Sequence, residues 1–220
     1  MATHTSKTIP NAIELYEDRL KNVDLIWCKQ VVSMLEEFCS VEKISVNDIG
    51  CNYGQLFKEI RRRGLEKKID YNGYDIDKVF LGMAKKAFPE YANKFVQLDV
   101  ETEKLDTRDI TICSATFEHL DNPQSALKKM LAATSKHMIL RTFVGSESID
   151  FVQDDKRFVA TSYNVNQFSL FDLGKVFFEE GFSFCCLKDE ATGSVSKEIE
   201  NSWGVFRTVF LIVGTRNRKA

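Results

Sequence analysis

Proline and histidine are both scarce in this chain, three residues of each in 220. Three prolines exclude a proline-rich linker or an extended polyproline segment. The histidines (4, 119 and 137) stand nowhere at ligand spacing from a cysteine, so no zinc site is expected, and the metal expectation is none. The six cysteines (28, 39, 51, 113, 185 and 186) include no C-x-x-C pair. A disulfide framework belongs to smaller secreted chains, and the simplest reading is six reduced thiols. No apolar run approaches the roughly 20 residues needed to span a bilayer. The opening "MATHTSKTIP" lacks the apolar core of a secretory signal, which leads to the expectation of a cytoplasmic protein. A net charge of −2 exerts no broad pull on nucleic acid or an anionic membrane. Internal repeats and low-complexity tracts are also missing.

What is present is the composition of a globular protein, 44% hydrophobic and 28% charged, long enough to bury one sizeable core. Residues 11–39 carry Leu20, Val23, Ile26, Trp27, Val31, Met34, Leu35 and Phe38 at helical spacing. From residue 44 the period switches. The strand candidates "KISVNDIG", "IDYNGYD", "KFVQLDV", "DITICSA" and "HMILRTF" alternate with amphipathic segments at 55–63, 78–88 and 122–134. Gly64 and Pro89 stand where helices should stop. Such alternation implies right-handed crossovers and a mainly parallel sheet covered on both faces. Ser169 is placed to cap the helix in "SLFDLGKVFFEEGF" and Gly181 to close it. "FSFCCLKDE" and "VFRTVFLIVGT" have no helix between them and read as an antiparallel pair at the sheet edge. The expected fold is α/β: a Rossmann-like, mainly parallel seven-stranded sheet with helices on both faces and an antiparallel C-terminal edge pair. Residues 1–43 form an N-terminal helical extension to a domain at 44–220, with a cap or lid insertion around 145–165.

The chemistry concentrates in "VNDIGCNYGQL" at 46–56. Asp48 ends a strand and Gln55 begins a helix, so Gly50 and Gly54 bracket a turn at the carboxyl end of the sheet, where open α/β folds bind ligands. A phosphate cradle calls for lysine or bare amides, as in GxxxxGK[ST]; here an aspartate flanks the turn, which favours a ligand bearing a cation. Nor is the spacing GxGxxG, for it reads D-x-G-x-x-x-G.

"DIGCNYG" resembles the first motif of the class I S-adenosylmethionine-dependent methyltransferases, and other pieces follow in that family's order over about 44–190. "YNGYDID" resembles the ribose-binding end of the second strand, "FVQLDV" the adenine-binding segment, and "DITICSATFEHLDNPQSALKKM" the fourth motif of small-molecule members. "QFSLFDLGKVFFEEGF" is similar to the helix and Gly-Phe entry to the next strand. The resemblance implies S-adenosyl-L-methionine as cofactor, held by Asp48, Gly50, Cys51, Asn52, Gly54, Asp75, Ile76, Asp99, Val100 and Ser114. Many members carry glycine where Asn52 stands; asparagine tolerates the left-handed backbone the turn needs. Asp77 reads as a helix cap. His119, beside Glu118, is the candidate general base, since a histidine can take a proton from a hydroxyl as the methyl is transferred. A structural role for the pair stands beside that reading. In a metal-using branch of similar O-methyltransferases a further glutamate precedes this pair by three; Ala115 stands there instead. Arg141, at the end of the fifth strand, is read either as a contact to an acidic substrate or as the partner of a neighbouring carboxylate. Arg157, Tyr163, Asn164 and Gln167 are substrate-contact candidates by position. Tyr16 and Arg19 belong either to a flap over the cofactor or to a plain amphipathic helix.

The expected activity is methyl transfer to a small-molecule acceptor, preferably a hydroxyl oxygen of a sugar or secondary metabolite, by a monomer or homodimer. N-methylation of a small amine or protein, and a catalytically silent cofactor-binding partner, are the alternatives. A dinucleotide-binding oxidoreductase is a further rival. A nucleic-acid amino-methyltransferase is not expected, because "SATF" stands where that group carries Asn/Asp-Pro-Pro-aromatic.

Overall fold

The computed structural model describes residues 12–153, 163–199 and 204–217. Helices α1 (Ala12–Asn22) and α2 (Ile26–Phe38) lead into β1 (Ile44–Ile49), α3 (Gln55–Arg62), β2 (Ile69–Asp75), α4 (Lys78–Ala87), β3 (Phe95–Gln97), β4 (Arg108–Ser114), α5 (Pro123–Ala132) and β5 (Thr134–Gly145). Short two-residue strands follow in the later part of the chain: β6 (Val152–Gln153), β7 (Tyr163–Asn164), β8 (Phe168–Ser169) and, further on, β10 (Lys197–Glu198). Among these lie α6 (Leu170–Glu179) and β9 (Phe182–Lys188); β11 (Phe206–Arg207) and β12 (Val209–Arg216) close the series.

The main sheet runs β3-β2-β1-β4-β5-β12-β9, with β8 attached beside β5. The first five strands of that order pair in parallel. β12 inserts antiparallel between β5 and β9. The order reverses between β1 and β4, which opens the crevice where ligands bind in such sheets. The seven-stranded parallel sheet with its antiparallel C-terminal pair is the fold read from the sequence.

Period-2 alternation sends neighbouring side chains to opposite faces, and each face has its own core. Val46, Tyr71, Ile110, Ile112, Ile139 and Leu211 pack with α2 and α3. Ile49, Cys113, Met138, Leu140 and Ile212 pack with α5 and α6. Cys28, Val31, Val32 and Leu35 of α2 are buried in the first core, so this helix is a structural layer of the sheet.

The stops are those the sequence marks. Gly64 (φ 69°) follows α3, Pro89 opens a 3-10 turn after α4, and Gly181 (φ 79°) follows α6. The Ser169 hydroxyl accepts from the amides of Phe171 and Asp172, and the Asp77 carboxylate caps α4 through the amide of Val79. The N-terminal segment differs from the single helix its periodicity predicts, because it breaks after Asn22 and restarts at Ile26. Leu25 adopts extended geometry, and the Lys58 ammonium on α3 donates to the Val23 carbonyl that the break exposes. Helical spacing does not register such a bend, because it is made by a partner from another element. All six cysteines are free, four of them buried and two, Cys185 and Cys186, exposed on the edge strand β9. No helix among the described residues is long and apolar enough to cross a membrane.

Candidate functional site

Between β1 and α3 the backbone visits the left-handed region at every second residue: Gly50 (φ 73°), Asn52 (φ 53°) and Gly54 (φ 83°). This winding turns its amide groups inward. Gly50 and Cys51 donate to the Tyr74 carbonyl, Asn52 to the Asp75 carboxylate, Tyr53 to the Asn52 side chain and Gly54 to the Cys51 carbonyl. The amides of residues 50–54 are therefore engaged within the protein and offer no cradle to a phosphate. The glycines also serve a different purpose from the one the sequence suggests. A Cβ on Gly50 would lie 1.9 Å from the Thr116 hydroxyl oxygen, so this glycine makes room for the turn after β4 rather than for a ligand.

Asp48, on β1, is 2% exposed and accepts a 2.6 Å hydrogen bond from the Tyr71 hydroxyl. Tyr71 reaches it by lying across Gly73, where a Cβ would sit 2.8 Å from the tyrosine oxygen. Burial raises the Asp48 pKa to about 7, against the lowering effect of Tyr71 and with a further rise from the Asp75 charge. At neutral pH this carboxyl is poised between its two forms, and a neighbouring cation favours the ionised one.

Asp75 ends β2 and is oriented by two amides, Asn52 on one oxygen and Asp77 on the other, each at 2.8 Å. Carboxylate oxygens accept more than one hydrogen bond each, which suits a pair of ribose hydroxyls. Ile76 follows it, its carbonyl accepting from Gln97. Asp99 lies one strand across, where its carboxylate accepts from the Glu101 amide; Val100 is buried in the second core. Cys51 is buried beneath the turn, and burial lifts its thiol pKa well above the ordinary value. Ser114 ends β4 with a buried hydroxyl that has no hydrogen-bond partner among the described residues, and the same holds for Tyr53 in the turn itself. Two acids, two orphaned hydroxyls and an amide-poor turn fit a cationic adenosyl compound better than a pyrophosphate.

Tyr16 of α1 comes over this turn. Its ring centroid is 5.3 Å from that of Tyr53 and 4.8 Å from that of Phe80, with the Arg19 guanidinium 5.2 Å from its own. Burial raises the Tyr16 pKa while Arg19 lowers it, and the Asp75 charge raises it in turn. The helix thus packs its Tyr16 against the turn and α4.

The second half of the site is the turn after β4. Ala115 sits at φ 52°, a strained backbone for a residue with a Cβ, and its amide is held by the Arg141 carbonyl. The distortion swings Thr116 against Gly50 and starts the single 3-10 turn Phe117–His119. Glu118 is 3% exposed and accepts from the Thr142 hydroxyl at 2.9 Å. Its carbonyl accepts from the Asn166 amide, so the pair of contacts ties this turn to both β5 and the segment beyond it. His119 is half-buried with Nδ1 2.6 Å from the Asn164 carbonyl oxygen. A carbonyl only accepts; Nδ1 therefore carries the proton, and in the neutral ring the lone pair belongs to Nε2.

Tyr163 and Asn164, on β7, are both brought to this histidine. The Tyr163 ring meets it edge-on at 5.8 Å, and the Asn164 amide donates to the Leu120 carbonyl and the Asp121 carboxylate. Gln167 packs over Gly145 and donates to the Glu147 carbonyl. Arg157 lies outside the described residues. Arg141 is not presented to the crevice as an open cation: its Nε and Nη2 grip the two oxygens of Asp189 at 2.8 and 3.1 Å, and the pair is buried. Of the two sequence readings of Arg141, the structure has the carboxylate partner.

Several residues of the site carry no motif. Tyr71, Thr116, Thr142 and Asn166 act through contacts between elements far apart in sequence, and only Gly73, beside Tyr71 in "YNGYD", hints at a close approach. Arg207 reads in the sequence as one more strand residue, yet it is buried near the end of β5.

Residues 47–136 match the model of a methyltransferase domain. No curated protein matches the chain. Among solved structures, an S-adenosylmethionine-dependent methyltransferase from Clostridium acetobutylicum superimposes with a TM-score of 0.64 at 12% identity, covering 94% of this chain and 99% of its own. An amino pentose methyltransferase of calicheamicin biosynthesis from Micromonospora echinaspora, solved with S-adenosylmethionine, gives 0.61 at 14% identity over 95% of this chain and 98% of its own. Magnesium protoporphyrin IX methyltransferase from Synechocystis gives 0.56 at 17% identity over 86% and 82%. At such identities the likeness speaks for the fold. Together with the strand order, it shows that the chain has the fold of these methyltransferases, and the match to a methyltransferase domain covers residues 47–136.

Proposed function

We propose that this protein transfers a methyl group from S-adenosyl-L-methionine to a hydroxyl oxygen of a small-molecule acceptor, of the sugar or secondary-metabolite kind. The bound cofactor supplies an electrophilic methyl on a sulfonium. The protein's part is to hold and align. Asp75 receives the ribose hydroxyls, Asp99 the adenine amine, and Asp48 the positive charge of the amino-acid portion. Tyr16 and Tyr53 close the crevice from above and exclude water, which sharpens every electrostatic contact beneath them.

The observation that carries the oxygen acceptor is the fixed tautomer of His119. With Nδ1–H bonded to the Asn164 carbonyl, Nε2 is the atom that takes the hydroxyl proton. Glu118 contacts the reaction indirectly, by anchoring the turn through Thr142. His119→Ala should leave S-adenosylhomocysteine affinity unchanged and lower turnover by about 10²–10⁴-fold, the usual worth of a positioned general base. The assay follows S-adenosylhomocysteine release across a panel of hydroxylated and amine acceptors. Near-normal turnover in the variant, or methylation confined to amines, would reject the hydroxyl reading.

A further inference from the structure

Arg207 is 6% exposed and forms no ion pair with any described carboxylate. The described residues give it one hydrogen bond, from Nη1 to the carbonyl of its neighbour Phe206 at 2.9 Å. Its Nε is buried with no hydrogen-bond partner among the described residues. Burial lowers its pKa from the ordinary value, with no charge among the described residues to offset it. A guanidinium so enclosed is costly for the fold unless an anion arrives to meet it.

Its position says which anion. The guanidinium carbon lies 5.9 Å from the Phe151 ring centroid. Phe151 is tied by its amide to the Asn166 side chain and by its carbonyl to the Val165 amide. Asn166 in turn donates to the Glu118 carbonyl, and two residues earlier the Asn164 carbonyl fixes His119. Arg207 and His119 therefore belong to one wall, built from the ends of β4 and β5 and the β7 segment. The Val144 amide on β5 donates to the Thr208 carbonyl, which anchors the arginine's own strand to the same place.

We propose that Arg207 recognises an oxyanion on the acceptor, so that the molecule methylated at the His119 site carries a carboxylate or phosphate as well as its hydroxyl. The assignment rests on the methyltransferase reading above and narrows its substrate class. The planar fork of an arginine matches both oxyanions, with two parallel N–H donors facing two oxygens. Arg141, the cation the sequence offers for this role, is taken by Asp189.

The test uses the full chain saturated with S-adenosylhomocysteine. 4-Hydroxybenzoate, 4-hydroxyphenyl phosphate and neutral 4-hydroxybenzamide are titrated by calorimetry, with inorganic phosphate as competitor. At least one oxyanion probe should bind ten times or more as tightly as the amide, and the better of the two separates carboxylate from phosphate. Arg207→Met should erase that ratio with S-adenosylhomocysteine affinity intact, and Arg207→Lys should restore part of it. Equal binding of the amide, an unchanged ratio in Arg207→Met, or no binding of any oxyanion would overturn the proposal. Failure of S-adenosylhomocysteine itself to bind would instead remove the cofactor reading, and this assignment with it. A counter-ion within the chain would give the opposite pattern, a strongly destabilised Arg207→Met with unaltered selectivity, and would also overturn it.

Discussion

Two arginines, Arg141 on β5 and Arg207 on the neighbouring β11, are both more than nine-tenths buried, and the protein treats them differently. Arg141 meets a carboxylate in bidentate geometry, and that carboxylate, Asp189, also accepts from the Thr192 amide and hydroxyl. Although burial pushes the Asp189 pKa up, the bonds from Arg141 and Thr192 hold it below the ordinary value. The group is complete. Arg207 has one backbone carbonyl and an aromatic ring, with no described acid. A buried cation with its counter-ion in the chain has its desolvation cost offset within the scaffold, whereas one with no described counter-ion does not.

The contrast is most easily broken at Arg141. Replacing it with methionine strands the Asp189 carboxylate, and chemical denaturation should find a loss of about 3–5 kcal/mol. A double variant, Arg141→Met with Asp189→Leu, should regain most of this, because neither charge is then left buried alone.

The next effect falls on the cofactor side. Asp75→Ala removes charge-assisted bonds worth about 1.5–3 kcal/mol, so calorimetry on the folded variant should find S-adenosylmethionine bound about 10–100-fold more weakly. Unchanged affinity would displace Asp75 from the ribose.

A third measurement uses Asp48, a buried acid whose hydrogen-bond partner, Tyr71, carries no charge. Its folded pKa is about 7, against 3.8 for the ordinary group. Between those values the folded chain holds a proton that the unfolded chain has released. Stability of the ligand-free protein should therefore fall as pH rises from about 4 to 7, and Asp48→Asn should flatten that slope. Cofactor affinity should move the other way, weakening as pH drops below 7 and the carboxylate is lost. Tyr71→Phe removes the hydrogen bond that lowers this pKa, so both transitions should shift to higher pH. The smallest effect expected is that of Arg207→Met on unfolding: a change within about 0.5 kcal/mol, or a gain, since no described protein-borne charge is left behind.

Much of this was readable from the chain. The strand–helix alternation, Gly64 and Gly181 as stops and Ser169 as a cap depend on neighbours in sequence, and each is where its residues indicate. The acid-flanked turn belongs to the same class, since Asp48, Asn52 and Gly54 lie within seven residues of each other. The bend at Val23–Leu25 is not of that class, because Lys58 on another helix takes the exposed carbonyl. Nor is the fate of Arg141, whose partner is 48 positions away. Gly50 was legible as a turn glycine where a Cβ is unwelcome, while the reason no side chain fits there, Thr116, was not.

The sequence by itself determined the mainly parallel sheet and the acid-flanked turn at its carboxyl end, because hydrophobic period, caps and turn residues are encoded within a few residues. Tertiary structure alone decided which buried charges are matched, which histidine nitrogen holds the lone pair, and which arginine is buried with no described counter-ion. Those outcomes depend on burial and on donors brought from distant strands, and the cost of an unpaired charge arises only once water has been excluded around it.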